Sequence, residues 1–173
     1  MKKYQIIYAD PPWSYNDKMS GHSFSLEHEY KTQDLEWIKN LSIKEIADNN
    51  CVLFLWAVSP QLIEAWGFKY KTLGFCWVKE YHEGGLFVKN LGRWTMGGVE
   101  LCLMGTKGKP QRQKKNISQV VFEKRGKHSQ KPIRVRNKIV ELMGDLPRIE
   151  LFARQKTEGW DVWGNEVKSD IEL

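Results

Sequence analysis

The chain has 173 residues, of which 41% are hydrophobic and 28% are charged, and its formal net charge at pH 7 is +6. This length and composition allow one domain with a hydrophobic core and exclude a chain that is disordered throughout. No apolar run is long enough to cross a bilayer. The short apolar run behind the two N-terminal lysines lacks the features of a signal peptide, so we interpret it as the first strand.

Seven apolar runs follow one another along the chain and predict strands. They cover residues 3–9, 50–57, 73–80, 99–106, 119–124, 148–154 and 160–164. Several of these runs are continuous rather than alternating, which is typical of strands that are buried on both faces of a sheet.

Helical patterns lie between the runs, over residues 42–49, 59–67 and 131–144. The first begins at Ser42 and has Glu45 three residues later, as in a capping box. The second begins at Ser59, with Pro60 in the first helical position. Strands that alternate with helices predict an α/β fold with a mostly parallel sheet, here as a single domain over residues 1–173. In such sheets, ligands bind beyond the carboxyl ends of the strands.

Two stretches have a composition that points to function rather than to the core. Residues 81–98 are rich in glycine and predict a mobile loop between two strands. Residues 107–138 hold twelve Lys or Arg residues and one acidic residue, whereas the rest of the chain holds fifteen Lys or Arg and twenty Asp or Glu. A basic block on an otherwise acidic body is the electrostatic footprint of a polyanion site, and it favours nucleic acid over a plain solvated loop.

Other distinctive side chains are predicted to belong to the core. The tryptophans in apolar patterns are Trp37, Trp56, Trp66 and Trp77, and the cysteines are Cys51, Cys76 and Cys102. The cysteines are too far apart for a disulfide framework, so we expect buried free thiols in a reducing compartment, the cytoplasm. The four histidines show no metal-ligand spacing with one another or with the cysteines, and no metal is predicted.

The tetrapeptide Asp10-Pro11-Pro12-Trp13 directly follows the first predicted strand. The two prolines fix the backbone and cannot continue a strand, so they hold the turn rigid. The Asp10 carboxylate and the Pro11 carbonyl offer two acceptors, and Trp13 offers a flat face for stacking. Two acceptors beside an indole complement the N6 amino group of adenine, because they can take both hydrogens and localise the lone pair on the nitrogen. An Asp-Pro turn with a surface tryptophan is the alternative interpretation.

The tetrapeptide resembles the catalytic motif of the adenine-N6 methyltransferase family, which includes the eukaryotic messenger-RNA adenosine methyltransferases and many bacterial and phage enzymes. Further blocks follow in the family's order: NNCVLFLWA, GFCWVKE, GRWTMGGVELCLMGTKG, HSQKP, ELFAR and WGNE. The resemblance implies a Rossmann-like fold with a permuted motif order and S-adenosylmethionine as the methyl donor. It also implies that Asp10, Pro11, Pro12 and Trp13 are the catalytic residues, in the cytoplasm of a bacterial or phage-infected cell.

The same resemblance implies a set of cofactor-binding residues. These are Asp10, Ser129, Lys131, Arg154, Asn165 and Glu166. Lys131 would bind the cofactor's carboxylate, whereas Asn165 and Glu166 would bind its ribose and adenine. Trp94 and Glu100 match a block that orders the loop on the target side. A solvated helix start at Lys131, a surface ion pair at Arg154 and a turn at Asn165 are the alternatives.

The nucleic acid would be gripped by residues on the loops and in the basic block. The candidates are Tyr15, Lys18, Arg93, Lys114, Lys115, Arg125 and Lys127. We expect the substrate to be DNA, because the compact chain resembles the bacterial and phage members; RNA stays open, and so does a homodimer. A base inside a duplex cannot reach the donor, so the target must be flipped out or single-stranded.

The chain departs from the family in several places. The messenger-RNA enzymes have a longer segment ahead of the tetrapeptide that contributes to the cofactor's adenine pocket, whereas nine residues precede Asp10 here. A G-x-G-x-x-G signature is also absent. Three other functions stay open: a methyltransferase for small molecules or proteins, a catalytically inactive partner subunit, and a plain nucleic-acid-binding domain.

Overall fold

The computed structural model describes residues 2–12, 34–57, 60–81, 83–86, 90–91, 94–126 and 130–173. In these ranges the strands are β1 (Tyr4–Ala9), β2 (Ala47–Trp56), β3 (Lys69–Glu80), β4 (Asn90–Leu91), β5 (Met96–Gly97), β6 (Val99–Lys107), β7 (Val120–Lys124), β8 (Arg148–Leu151) and β9 (Asp161–Trp163). The helices are α1 (Leu35–Lys39), α2 (Ile43–Ile46), α3 (Gln61–Ala65) and α4 (Ile133–Met143).

Seven of these strands form one sheet in the order β7-β3-β6-β2-β1-β8-β9. Strand β1 pairs in parallel with β2 and β8, β8 pairs in parallel with β9, and β3 pairs in parallel with β7. Strand β6 alone in this sheet is antiparallel to both of its neighbours, β2 and β3. The expected α/β fold with a mostly parallel sheet is therefore confirmed.

The strand directions define two edges of the sheet. The other six strands end at the edge that we call the carboxyl edge and begin at the amino edge. Because β6 runs the other way, it begins at the carboxyl edge and ends at the amino edge. A ligand site in a sheet of this kind is expected at the carboxyl edge.

Both faces of the sheet are covered, which explains why the strands are apolar without alternation. On one face α1, α2 and α3 contribute Ile38, Ile43, Ile63 and Trp66 to a core that also contains Ile7 of β1. On the other face the core is formed against α4, whose apolar residues Val135, Ile139 and Met143 are all buried. None of the helices in the described ranges is long and apolar enough to cross a bilayer.

All seven predicted strands are present, but all three predicted helices are shorter than expected. The helix predicted over residues 42–49 is limited to Ile43–Ile46, because Ala47 already pairs with Tyr4 in the sheet. The Ser42 side chain makes no capping hydrogen bond, so the predicted capping box is wrong. Helix α3 has Pro60 as its N-cap, and the expected N-cap Ser59 lies outside the described residues.

Several predictions about loops and buried side chains also need correction. The stretch at residues 81–98 contains the antiparallel pair β4–β5. Trp37 is 43% exposed, so its assignment to the core is wrong, whereas Trp56, Trp66 and Trp77 are buried as predicted. The three cysteines are free thiols; two are buried, and Cys76 is half-buried.

Candidate active site at the carboxyl edge

Asp10 lies at the carboxyl edge, immediately after the last residue of β1. The strands on either side of β1 are β2 and β8, and both are parallel to β1. The turn at Asp10 therefore lies between two other strand ends, inside the edge of the sheet. Pro11 is buried and Pro12 is half-buried, which fixes the backbone that carries the carbonyl acceptors. Trp13 lies outside the described residues, and so do Tyr15 and Lys18.

Four charged side chains from four segments of the chain meet at this edge, and we call them the charged network: Asp10, Lys79, Glu100 and Lys131. The Lys131 Nζ atom lies 2.8 Å from Oδ2 of Asp10 and 3.2 Å from Oε2 of Glu100. The other Glu100 oxygen, Oε1, lies 2.6 Å from Nζ of Lys79. Glu100 reaches the network because antiparallel β6 begins at the carboxyl edge, whereas Lys79 comes from the end of β3.

The two carboxylates of the charged network differ in the direction of their pKa shifts. Burial raises the pKa of Asp10 and the Glu100 charge adds to the rise, whereas the Lys131 ammonium offsets it only in part. Burial also acts to raise the pKa of Glu100, but Lys131 and Lys79 together outweigh it, and this pKa lies below its usual value. The pKa of Lys131 is raised because its two carboxylate partners outweigh the cost of burial. Lys131 is therefore a firmly protonated bridge between two acids.

Tryptophan rings lie beneath the two lysines of the network. The Nζ atom of Lys131 lies 5.6 Å from the ring centroid of Trp56, and that of Lys79 lies 5.3 Å from the Trp77 ring. The Trp56 indole N–H donates a 2.7 Å hydrogen bond to the hydroxyl of Tyr8, and this bond fixes the ring. These rings attract the ammonium groups through cation–π interactions and help to fix the network against the sheet.

The ends of β8 and β9 form the second half of the site. The Arg154 Nε atom lies 3.5 Å from Oε1 of Glu166. The Arg154 charge also acts against the rise in the pKa of Asp10, without cancelling it. The two strand ends are joined by a 3.0 Å hydrogen bond from the Ala153 N–H to the Trp163 carbonyl. A Cβ atom on Gly164 would lie 2.3 Å from the Ala153 carbonyl oxygen, so only glycine fits there. This close approach sets the position of the next residue, Asn165, which is exposed.

An aromatic group beside these strand ends was not anticipated from the sequence. The Trp37 and Trp163 rings stack at 6.4 Å with 19° between their planes, and Phe152 meets Trp163 edge-on at 5.2 Å. Phe152 has φ = 60°, an unusual backbone conformation for an aromatic residue, and such strain is often found at functional sites. Phe152 lies in the ELFAR block, but the sequence of that block does not indicate a left-handed backbone conformation at this residue.

A buried acid lies behind Asp10 on the neighbouring strand. Glu150 of β8 is paired in register with Tyr8 of β1, and its Oε2 atom lies 3.2 Å from Nε of Arg136. Burial raises the pKa of Glu150 to about 7, because Arg136 offsets the burial only in part and the Asp10 charge adds to it. Arg136 also donates a 2.5 Å hydrogen bond to the Thr157 hydroxyl. No motif in the sequence indicates that Glu150 has a raised pKa.

The predicted nucleic-acid contacts do not all lie at one edge. Arg125 follows the end of β7 at the carboxyl edge, whereas Lys114 and Lys115 lie in the connection from β6 to β7 at the amino edge. The Lys114 ammonium lies 2.9 Å from a carboxylate oxygen of Glu141 near the end of α4. Arg93, Lys127 and the cofactor candidate Ser129 lie outside the described residues, and Trp94 is 97% exposed.

The residues at the carboxyl edge fit the expected cofactor. An ammonium has three N–H donors, and Lys131 uses two on Asp10 and Glu100, so one is available to a ligand carboxylate. Glu166 and Asn165 offer an acceptor and an amide to a ribose diol, beside the flat rings of the aromatic group. Within the described ranges no group of three His, Cys, Asp or Glu side chains could hold a metal ion.

Comparison with known proteins identifies one family and several relatives. A model of the MT-A70 family matches residues 4–166. The type II methyltransferase M.MunI of a Mycoplasma species is 37% identical over 190 residues, which cover 96% of this chain and 78% of that protein. The catalytic subunit METTL3 of the human N(6)-adenosine-methyltransferase is 28% identical over 95% of this chain and 28% of its own length. The MT-A70-like N(6)-adenosine-methyltransferase of Arabidopsis thaliana is 25% identical over 94% of this chain and 23% of that protein. The predicted resemblance to this family is thereby confirmed for the chain as a whole.

Proposed function

The chain belongs to the MT-A70 family of S-adenosylmethionine-dependent methyltransferases, and we propose that it methylates N6 of adenine in DNA with Asp10 and Pro11 as the acceptors for the amino group. Methylation of adenine N6 follows from the family, as does the use of S-adenosylmethionine. The choice of DNA and the roles of individual residues are the proposal.

The observation that carries the residue assignment is the position of Asp10 between Lys131 and the ends of β8 and β9. A carboxylate at this point can accept one N6 hydrogen, and the rigid Pro11 carbonyl can accept the other. Both acceptors are held before the substrate arrives, so little reorganisation is needed when charge develops on the nitrogen. The lone pair of N6 is then directed away from the two acceptors, toward the methyl donor.

Lys131 has a positioning role in this proposal. It orients the Asp10 carboxylate from one side and keeps one N–H donor for the carboxylate of the cofactor. Arg154, Asn165 and Glu166 would hold the remainder of the cofactor at the ends of β8 and β9. When bound, S-adenosylmethionine supplies an electrophilic methyl group; the side chains of the site bind and orient and do not themselves react.

DNA is favoured because M.MunI, the relative that matches this chain over most of both lengths, is a type II methyltransferase, whereas the eukaryotic relatives are much longer proteins. RNA is the second candidate, since METTL3 is named as an adenosine methyltransferase. As part of the same proposal, we place the enzyme in the cytoplasm of a bacterial cell as one domain, with the target base flipped out or single-stranded. A homodimer stays a prediction.

The test is to incubate the protein with S-adenosylmethionine labelled in its methyl group and with DNA and RNA oligonucleotides of matched sequence. The products are digested, and the modified nucleoside is identified by mass spectrometry. We expect N6-methyladenine in DNA, with less than a tenth of that signal in RNA. Label on cytosine, on protein or preferentially on RNA would refute the proposal.

A further inference from the structure

A cationic surface that the methyl-transfer site does not use lies at the amino edge, in the connection from β6 to β7. Residues 107–116 contain five cations and no acid; the cations are Lys107, Lys109, Arg112, Lys114 and Lys115. Strand β3 begins at the same edge, with exposed Lys69 and Lys71. We call these seven residues the amino-edge surface.

The connection is not a loosely attached loop, although residues 108–119 have no regular secondary structure. Its first turn requires glycine, because Gly108 has φ = 65° and a Cβ atom there would lie 2.1 Å from the Asn49 carbonyl oxygen. The next N–H, from Lys109, donates a 2.7 Å hydrogen bond to the Asn50 side chain. The N–H groups of Gln113 and Lys114 then donate to the Leu142 carbonyl at the end of α4, at 2.8 and 3.3 Å.

The cations on this fixed backbone differ in how they are used. The Lys107 ammonium donates to two carbonyls at the end of α2, and Lys114 pairs with Glu141. Lys109, Arg112 and Lys115 are exposed and have no hydrogen-bond or ion-pair partner for their side chains among the described residues. A rigid backbone that presents unused cations loses little entropy when it binds an anion.

The amino-edge surface is remote from the place where the target base must bind. Strand β7 has five residues and, at about 3.3 Å per residue, separates the two edges by roughly 17 Å. That height is equivalent to about five base pairs of duplex at 3.4 Å each. A nucleotide held at Asp10 cannot itself touch Lys109, so the surface must serve another part of any bound polyanion.

We propose that the amino-edge surface is a second docking surface for DNA, which binds the phosphate backbone of a segment remote from the target adenine. This proposal rests on the proposed function only because it takes DNA as the partner. Contacts between exposed lysine or arginine and phosphate carry no sequence information, so this surface adds affinity and not target choice. Unpaired cations spaced along a fixed backbone match a regularly charged polymer better than they match a small anion.

The experiment measures binding of a fluorescein-labelled 30-base-pair duplex to the full chain between about 50 and 300 mM salt, with S-adenosylhomocysteine present so that no transfer occurs. The variant K109Q/R112Q removes two unpaired cations. The control variant K39Q/K168Q removes the same charge from α1 and from the C-terminal segment, both outside residues 107–138. The affinity for S-adenosylhomocysteine, measured by calorimetry, reports whether each variant is folded.

We expect K109Q/R112Q to make the slope of log affinity against log salt less steep by about 2, since each lost phosphate contact contributes roughly 0.9. We also expect binding at low salt to be weakened at least tenfold. The control should shift the slope by less than 0.5, and cofactor affinity should be unchanged in both. A wild-type slope in K109Q/R112Q, or an equal loss in both variants, overturns the proposal. Because no transfer is measured, this outcome is independent of whether N6-methyladenine forms in DNA.

Discussion

The Lys131 ammonium lies 2.8 Å from the Asp10 carboxylate, although the two residues are far apart in the sequence. The same ammonium also contacts Glu100, so one cation is divided between two acids. Burial raises the pKa of Asp10 and the nearby Glu100 charge adds to the rise, whereas Lys131 and Lys79 together bring the pKa of Glu100 below its ordinary value. The two acids that share this cation therefore lie on opposite sides of their ordinary pKa.

Replacing Asp10 tests its role as an acceptor. In D10A the N6 amino group loses one of its two acceptors, and we expect methyl transfer to fall by at least about 100-fold, as when one preorganised hydrogen-bonding group is removed from an active site. The affinity for S-adenosylmethionine, measured by calorimetry, should change by less than a factor of about ten. The exposed acid Glu36 provides the control E36A. Transfer at the wild-type rate in D10A would exclude Asp10 from the mechanism.

The Glu100–Lys79 pair should contribute to stability, because Lys79 is only 9% exposed and would lose its partner. In E100Q we expect the free energy of unfolding, measured with urea, to fall by about 2 kcal/mol. The control is E36Q, which breaks the exposed Lys39–Glu36 pair and should cost under about 0.5 kcal/mol. Equal effects of the two variants would show that burial of Lys79 does not matter.

Glu150 should make the protein more stable in mild acid. Its folded pKa of about 7 lies above the ordinary value of 4.5, so the folded state binds the proton more tightly than the unfolded chain. This stabilisation is complete below pH 4.5 and is lost as the pH rises through 7, a change on the order of 3 kcal/mol at most.

The variant E150Q removes the titrating group, so the change in unfolding free energy between pH 5 and pH 8 should be much smaller than in the wild type. Urea unfolding at several pH values measures this slope directly. A slope that is unchanged in E150Q would contradict the assignment of the raised pKa to Glu150.

Gly164 should be needed for both stability and cofactor binding. A methyl group at this position collides with the backbone of Ala153, and we expect G164A to destabilise the protein by roughly 2 kcal/mol. Because the collision pushes β8 and β9 apart near Arg154, the affinity for S-adenosylmethionine should fall as well. The control G84A adds a methyl group in open space, with a cost of about 1 kcal/mol from the positive φ of Gly84 alone. Cofactor affinity that is equal in both variants would argue against the joined strand ends as a binding element.

The strands could be predicted from the sequence because each is a continuous apolar run, and burial on both faces demands such runs. Helix α1 could not be predicted, because five residues give too little periodicity, and the exposure of its Trp37 could not be predicted for the same reason. Helix α2 is shorter than predicted because the pairing of Ala47 with Tyr4 prevails over the local helix signal. In both cases the tertiary contact decides, and local spacing does not contain it.

The candidate site could likewise be predicted only in part. Asp10, Lys131, Arg154 and Glu166 could be proposed because they lie in short blocks that resemble those of the family, and their roles stay predictions. Their ion-pair partners could not be assigned, because the link from Lys79 through Glu100 to Lys131 depends on the reversed direction of β6. The raised pKa of Glu150 could not be predicted either, because the sequence does not show that a carboxylate in the middle of a strand is buried.

The reversed direction of β6 also separates two properties that evolution or design could vary independently. One end of this strand places Glu100 in the charged network, and the other end leads into the cationic connection. Under the proposal that this connection binds DNA, changing its length or charge would alter how tightly the enzyme holds a long duplex without moving Glu100. A single inverted strand would then let the grip on distant DNA be adjusted separately from turnover.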